Sequence, residues 1–278
     1  MKAAPFAYER PSDLDAALAM LADAKDLCKI IAGGQSLGPM LNLRLVQLDR
    51  VIDISGLSEL RRVERTGDEL AIGACVTHSD IEDGRIHDVT RGAMQRVAAA
   101  IAYRAVRNRG TIGGSLSHAD PAADWVTALP ALGAKLRLRS AEGTRDLAVE
   151  DFIVGALETA LRRGEIVETV RVPVMRRSAR WGYVKACRKP GEFAHAIAAV
   201  LIDLDEETSR VVIGAIETAP IVLRDAAPLF GGRVTGEFKQ RFDARVADAL
   251  LIRAGVTNAT DRHICTTVLR RAINEAAA

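Results

Sequence analysis

Two short segments hold residue types from which a ligand site can be built: AGGQS (Ala32–Ser36) and TIGGS (Thr111–Ser115). Each has a Gly-Gly pair after a strand-like apolar run, followed by a small hydroxyl residue. Glycine tolerates positive φ and lets another group come close to the main chain. Successive N–H groups in such a turn form a concave anion site, to which Ser36 and Ser115 add hydroxyl donors. Hydrogen bonds to a charged partner contribute roughly 1.5–3 kcal/mol each, so four or five converging donors suffice to hold a dinucleotide by its diphosphate. Neither segment contains lysine, so such a cradle works through backbone dipoles. The phosphate-loop string G-x-x-x-x-G-K-[ST] is absent, and so is a G-x-G-x-x-G after a strand. Spacing alone leaves two plain tight turns as an equal reading.

The elements that must position these segments follow from pattern. Residues 5–8 suit a short strand, and Ser12 suits the N-cap of a helix with Leu14, Ala17, Leu18 and Leu21 on one face. KIIAGG (29–34) reads as a buried strand entering a glycine turn, with a further strand around VIDIS (51–55). ELRRVERTGDELAIGA reads as two strands joined at Thr66–Gly67–Asp68. Thr77 caps a short helix, a longer one covers about 88–102, and Asp120–Pro121 start one over 121–132. AKLRLRS (134–140) and EIVETVRVP (165–173) alternate as strands do. After a boundary near 173–179 come strands in RWGYVKACR, AHAIAAVLIDL and RVVIGAIE, then helices around 235–252 and 261–276. Strands followed by helices predict an α+β unit with one sheet face covered.

Composition narrows the function classes. A length of 278 residues suits two domains. With 49% hydrophobic but only 4% aromatic residues, small aliphatic side chains must fill the core. A net charge of +2 gives no electrostatic reason for nucleic acid or a membrane surface. The pairs Arg61–Arg62, Arg162–Arg163 and Arg176–Arg177 read as solvated surface or a partner contact. Cys28, Cys75, Cys187 and Cys265 are far apart in sequence, which argues against a metal or iron–sulfur site here and for free buried thiols. There is no apolar signal core and no run of about 18 apolar residues, so no membrane span is expected and a reducing cytoplasm fits.

IAGGQSLGPMLNLRL (31–45) and RNRGTIGGSLSHADPAADW (107–125) closely resemble the two flavin-binding signatures of the medium subunit of molybdenum hydroxylases. That group includes aerobic carbon monoxide dehydrogenase and the flavin domain of xanthine dehydrogenase. VIDIS, IGACVTHSDIE, EIVETVRVP and YVKACRKPGEFAHA (183–196) extend the resemblance over nearly the whole chain. It implies an α+β fold. A two-part FAD-binding domain of the vanillyl-alcohol oxidase type would span 1–175, with subdomains of about 1–56 and 57–175. A smaller α+β C-terminal domain of the carbon monoxide dehydrogenase flavoprotein type would span 176–278.

The same resemblance distributes the cofactor contacts. Ala32, Gly33, Gly34, Gln35 and Ser36, flanked by Ile31 and Leu37, would line the FAD diphosphate. Thr111, Ile112, Gly113, Gly114 and Ser115 would form the second wall. Asp124 would accept from ribitol or ribose hydroxyls, or else serve as a charge at a helix N-terminus. Lys185 and Phe193 would approach the isoalloxazine. There Lys185 would stabilise negative charge on the reduced ring, unless it is an ordinary surface strand residue. Phe193 stands where some relatives have a tyrosine over the flavin, keeping the stacking but not the hydroxyl. Backbone at Leu161 and Val167 would meet the pyrimidine edge. Of the histidines His78, His87, His118, His195 and His263, His118 lies in the second signature as a polar neighbour of a non-covalent FAD.

The implied activity is electron transfer. A large molybdopterin subunit would oxidise the substrate and 2Fe-2S clusters on a small subunit would relay the electrons. The FAD on this chain would pass them to NAD, a quinone or oxygen. No catalytic acid–base residue and no metal is expected here, and the substrate is specified by another chain. By analogy the assembly is a dimer of heterotrimers. Two other readings remain: a stand-alone FAD-dependent oxidoreductase, such as the enolpyruvyl reductase of cell-wall synthesis, and a non-catalytic FAD-loaded scaffold.

Overall fold

The computed structural model describes residues 2–278. The chain opens with β1 (Ala7–Glu9), α1 (Leu14–Ala22), β2 (Cys28–Ile31), α2 (Leu37–Asn42) and β3 (Arg50–Asp53). The strands form a parallel sheet in the order β1-β3-β2. Central β3 is buried on both faces. Its Ile52 packs with Leu14 and Leu18 of α1, and Val51 packs on the other side with Leu41 and Leu48. Edge strand β2 is only half-buried, contrary to the expectation from KIIAGG, because one face of it borders a cleft.

β4 (Val63–Thr66), β5 (Glu69–Gly73), α3 (His78–Glu82), α4 (Ala93–Ala100), α5 (Arg104–Arg107), α6 (Ile112–His118) and α7 (Asp124–Ala131) follow. After them come β6 (Lys135–Ser140), β7 (Gly143–Ala148), α8 (Val149–Phe152), β8 (Ile153–Gly155), β9 (Glu158–Thr159) and β10 (Ile166–Pro173). An antiparallel sheet of order β4-β5-β10-β6-β7 presents Leu70, Ile72, Leu136, Leu138, Val170 and Val172 to a core shared with α4, α6 and α7. β8 and β9 pair separately.

The last stretch holds β11 (Arg180–Ala186), β12 (Ala196–Asp203), β13 (Thr208–Gly214), β14 (Ile221–Leu223), α9 (Phe238–Arg241), α10 (Ala244–Arg253) and α11 (Ala259–Ala276). Its antiparallel sheet runs β11-β12-β13-β14. Both faces are covered, where one was expected. Ile197 and Ala199 of β12 join the core that contains Trp125 and Leu129 of α7. Ala196, Ala198, Val200 and Ile202 face Leu269, Ala272 and Ile273 of α11. Burial on both faces accounts for the unbroken apolar run AIAAV. The fit is close on both sides: a Cβ on Gly182 would stand 1.9 Å from the Ala272 carbonyl, and one on Gly214 1.9 Å from Thr127 Oγ1.

Local polar chemistry shifts several helix ends. Asp13, not Ser12, caps α1: its carboxylate accepts the Ala16 N–H at 2.8 Å, while the Ser12 hydroxyl donates to Asp13. The Asp88 carboxylate takes the N–H groups of Thr90 and Gly92 in a turn, which delays α4 to Ala93. Asp120 accepts from Ala122 in another turn, so α7 starts at Asp124 rather than 121. Asp243 caps α10 and divides the helix expected over 235–252. Thr77 caps α3 as expected, in a reciprocal capping box with Asp80. Cys75 and Cys265 are buried, which pushes their thiols up to about 12 and about 11, whereas Cys28 and Cys187 are half-buried.

Candidate cofactor site

The first glycine segment bridges the C-terminal end of β2 and the start of α2. The Ile54 N–H anchors the carbonyl of Ile31, the last residue of β2, at 3.0 Å. Gly34 then takes φ +69°, a conformation that favours glycine, and turns the chain. The backbone N–H groups of Gly33, Gly34, Gln35, Ser36 and Leu37 donate to no acceptor among the described residues. Ser36 provides no side-chain cap, so nothing local competes for them. Gln35 Nε2 braces the turn from the other side, donating to the Gly33 carbonyl at 3.1 Å. Five consecutive free donors beside a cleft make an anion cradle.

The second segment works differently. TIGGS is not a loop; Thr111 is the N-cap of α6, its hydroxyl accepting the Gly114 N–H at 3.1 Å. The N–H groups of Ile112, Gly113 and Ser115 are committed to the carbonyls of Val76, Ala74 and Thr111. The expected second row of backbone donors is therefore not available. Ile112 itself is fully buried in the core and does not line the cleft, unlike the rest of the segment. Its glycines serve close packing instead. A Cβ on Gly113 would lie 2.4 Å from that of Ala74. Across the cleft floor, a Cβ on Gly33 would lie 2.1 Å from the Arg109 carbonyl and 2.8 Å from Gly110 Cα. The first segment is thus packed against the Arg109–Gly110 backbone that leads into the second, and this second wall offers the hydroxyl side chains of Ser115 and Ser117.

Between them runs a cleft of about 1160 Å³, larger than the cavities of roughly 300–1,000 Å³ that hold drug-sized ligands. Apart from Ile112, every residue assigned to the cofactor in the sequence lines it, including Ile31, Leu37, His118, Leu161, Val167 and Phe193. Phe193 lies at the mouth and is 73% exposed; Tyr103 stands near it, against Gly191. Lys185 is no surface residue. Its Nζ donates to both Asp124 carboxylate oxygens at 3.0 and 3.1 Å and to the Ala100 carbonyl, while the Tyr183 hydroxyl donates to Asp124 at 2.6 Å. Burial pushes the Asp124 carboxyl up against the opposing pull of Lys185, and lifts the Tyr183 hydroxyl well above the usual phenol range. Part of the acceptor capacity expected of Asp124 toward a ligand is therefore already engaged.

The cleft also contains residues that sequence reasoning left out. Arg162 and Arg163, read as surface, border it with Lys25 and Lys29, and Arg163 donates to the Ala24 carbonyl. His78 lines it too, with Nδ1 accepting from the Trp125 indole at 3.1 Å. Its place after the Thr77 cap had marked it only as a helix start. The Arg cluster carried no signal, since nothing in R-R tells a cleft rim from open surface.

Residues 4–175 match the family model described as the FAD binding domain in molybdopterin dehydrogenase. This chain belongs to that family. The caffeine dehydrogenase subunit beta of Pseudomonas sp. (strain CBB1) is 35% identical over 85% of this chain and 81% of its own length. The carbon monoxide dehydrogenase medium chain of Hydrogenophaga pseudoflava is 34% identical over 79% and 77%. Among solved structures, quinoline 2-oxidoreductase from Pseudomonas putida 86 superposes with a TM-score of 0.86 at 30% identity, covering 100% of this chain and 98% of that one. Family membership makes the chain an FAD-binding subunit of a molybdenum-containing oxidoreductase. The cleft fits this: its free backbone donors suit the cofactor's diphosphate, and its apolar walls suit flat rings. No helix among the described residues is long and apolar enough to cross a membrane.

Proposed function

We propose that this chain holds FAD non-covalently in the cleft and acts as the electron outlet of a molybdenum hydroxylase. The observation that carries this reading is the row of unpaired N–H groups from Gly33 to Leu37 at the floor of a long, mostly apolar cleft. Those donors, with the hydroxyls of Ser36 and Ser115, bind the diphosphate. Bound FAD supplies the conversion between single electrons arriving from iron–sulfur clusters and electron pairs leaving to an acceptor. Lys185, fixed by Asp124 and the Ala100 carbonyl, places a desolvated cation in the wall, where it favours added negative charge. Backbone groups at Leu161 and Val167 meet the pyrimidine edge, His118 is a polar neighbour, and Phe193 shields the mouth.

The same reading assigns 1–175 to a two-part FAD domain of the vanillyl-alcohol oxidase type, with subdomains of about 1–56 and 57–175, and 176–278 to a C-terminal domain. The partners are a large molybdopterin subunit and a small 2Fe-2S subunit, in a cytoplasmic dimer of heterotrimers that discharges to NAD, a quinone or oxygen. The test is a visible spectrum with metal analysis of the natively purified complex. Flavin, iron and molybdenum together are expected. A stand-alone flavoenzyme would show flavin alone, and a chain that stays colourless in excess FAD would end the proposal.

A further inference from the structure

His78 is 4% exposed and lies in the cleft wall, outside both glycine segments. Its Nδ1 accepts from Trp125 Nε1 at 3.1 Å. An indole N–H only donates, so Nδ1 must present a lone pair, and the imidazole proton of the neutral ring sits on Nε2. Burial, with Arg107 nearby, lowers the His78 pKa to about 4, so the ring is neutral near pH 7. Nε2 has no hydrogen-bond partner among the described residues. The ring edge bearing it stands against Gly110, where a Cβ would come within 2.9 Å of Nε2. Gly110 in turn touches Gly33, the first of the free donors. The N–H is not sealed off: it keeps access to the cleft, where water or a ligand can supply its acceptor.

We infer that His78 is a cofactor-binding residue whose Nε2–H donates to an oxygen of bound FAD beside its diphosphate, with Trp125 as the positioning residue that fixes the tautomer. This rests on the FAD reading above and adds to it a neutral donor in the wall next to the backbone cradle. Gly110 is glycine because the donor edge occupies the space of a side chain.

The experiment uses the full chain, stripped of flavin and titrated with FAD while flavin fluorescence is followed. His78→Phe keeps a ring but removes the donor, and should weaken FAD binding about tenfold, the loss of roughly one hydrogen bond. Trp125→Phe should give a smaller loss and a mixture of imidazole tautomers in the histidine ¹⁵N spectrum. The unaltered chain gives a reading that depends on no variant folding. Its His78 signal should show the Nε2–H tautomer before FAD is added, and the Nε2 resonance should move on binding. A wild-type chain that binds FAD without moving that resonance, or a folded His78→Phe chain of unchanged affinity, overturns the inference alone. A wild-type chain that does not bind FAD overturns the reading beneath it.

Discussion

At the residue scale, the site depends on what is missing from Gly33 and on what surrounds His78. Adding one methyl group at Gly33 sets it 2.1 Å from a backbone carbonyl that cannot swing aside. The first segment and the Arg109–Gly110 backbone must part, at an overpacking cost of about 1–3 kcal/mol. Gly33→Ala should therefore fold with reduced stability and lose most of its flavin, read from the flavin-to-protein absorbance ratio. Full flavin content in that variant would show that the close approach of Gly33 to Arg109 is not required. His78 makes a pH prediction. Its folded pKa, about 4, lies below the ordinary 6.5. The unfolded chain therefore binds the proton more readily, and stability is full above pH 6.5 and lost as pH falls toward 4. The loss is on the order of 3 kcal/mol. Urea midpoints of the wild type should fall across that window, and His78→Gln should remove this part of the slope. Parallel slopes would place the titration elsewhere. Both segments were legible from residue type and order. It could not tell that Ile112 points into the core, because an apolar residue beside a Gly-Gly pair suits a cleft or a core equally. Nor could it reveal that carbonyls of Ala74 and Val76, far off in the chain, engage the N–H groups of the second segment.

At the element scale, the buried pair Lys185–Asp124 ties β11 to the first residue of α7. Removing one partner of such a pair leaves the other buried without compensation, which costs roughly 3–5 kcal/mol. Lys185→Met should approach the lower end of that range, since Asp124, already pushed up by burial, can take a proton instead. Lys185→Met with Asp124→Leu should recover much of the loss, and urea unfolding of the four chains in the cycle measures the coupling. Additive losses would mean the two side chains act independently. The strands were largely legible from alternation. Helix starts were less so, because Asp13, Asp88, Asp120 and Asp243 each draw local N–H groups into caps or turns. Such competition depends on a few hydrogen bonds and leaves little trace in hydrophobic periodicity.

At the scale of the whole molecule, the sheet of β11 to β14 shares one core with α7 and another with α11. The segment beyond residue 176 therefore supports the cleft directly, supplying Tyr183 beneath Asp124, Lys185 in the wall and Phe193 at the mouth. Two faces packed this closely bind the two halves of the chain into one supporting frame, so removal of the second half should abolish flavin retention even though both glycine segments remain. The division of labour among subunits makes a stronger prediction. Among the described residues no group of three or more potential ligands could hold a metal ion, and the free thiols are spread across the fold. Expressed without partners, the full chain should retain FAD in near-equal molar amount, contain no stoichiometric iron or molybdenum, and fail to oxidise any organic substrate. Adding the two partner chains should restore substrate-dependent bleaching of the flavin absorbance. The Lys185→Met and Phe193→Ala chains should then alter the rate of that bleaching or its recovery without changing which substrate is oxidised. A change of substrate range in either variant would move specificity onto this chain and overturn the assignment of that role to a partner.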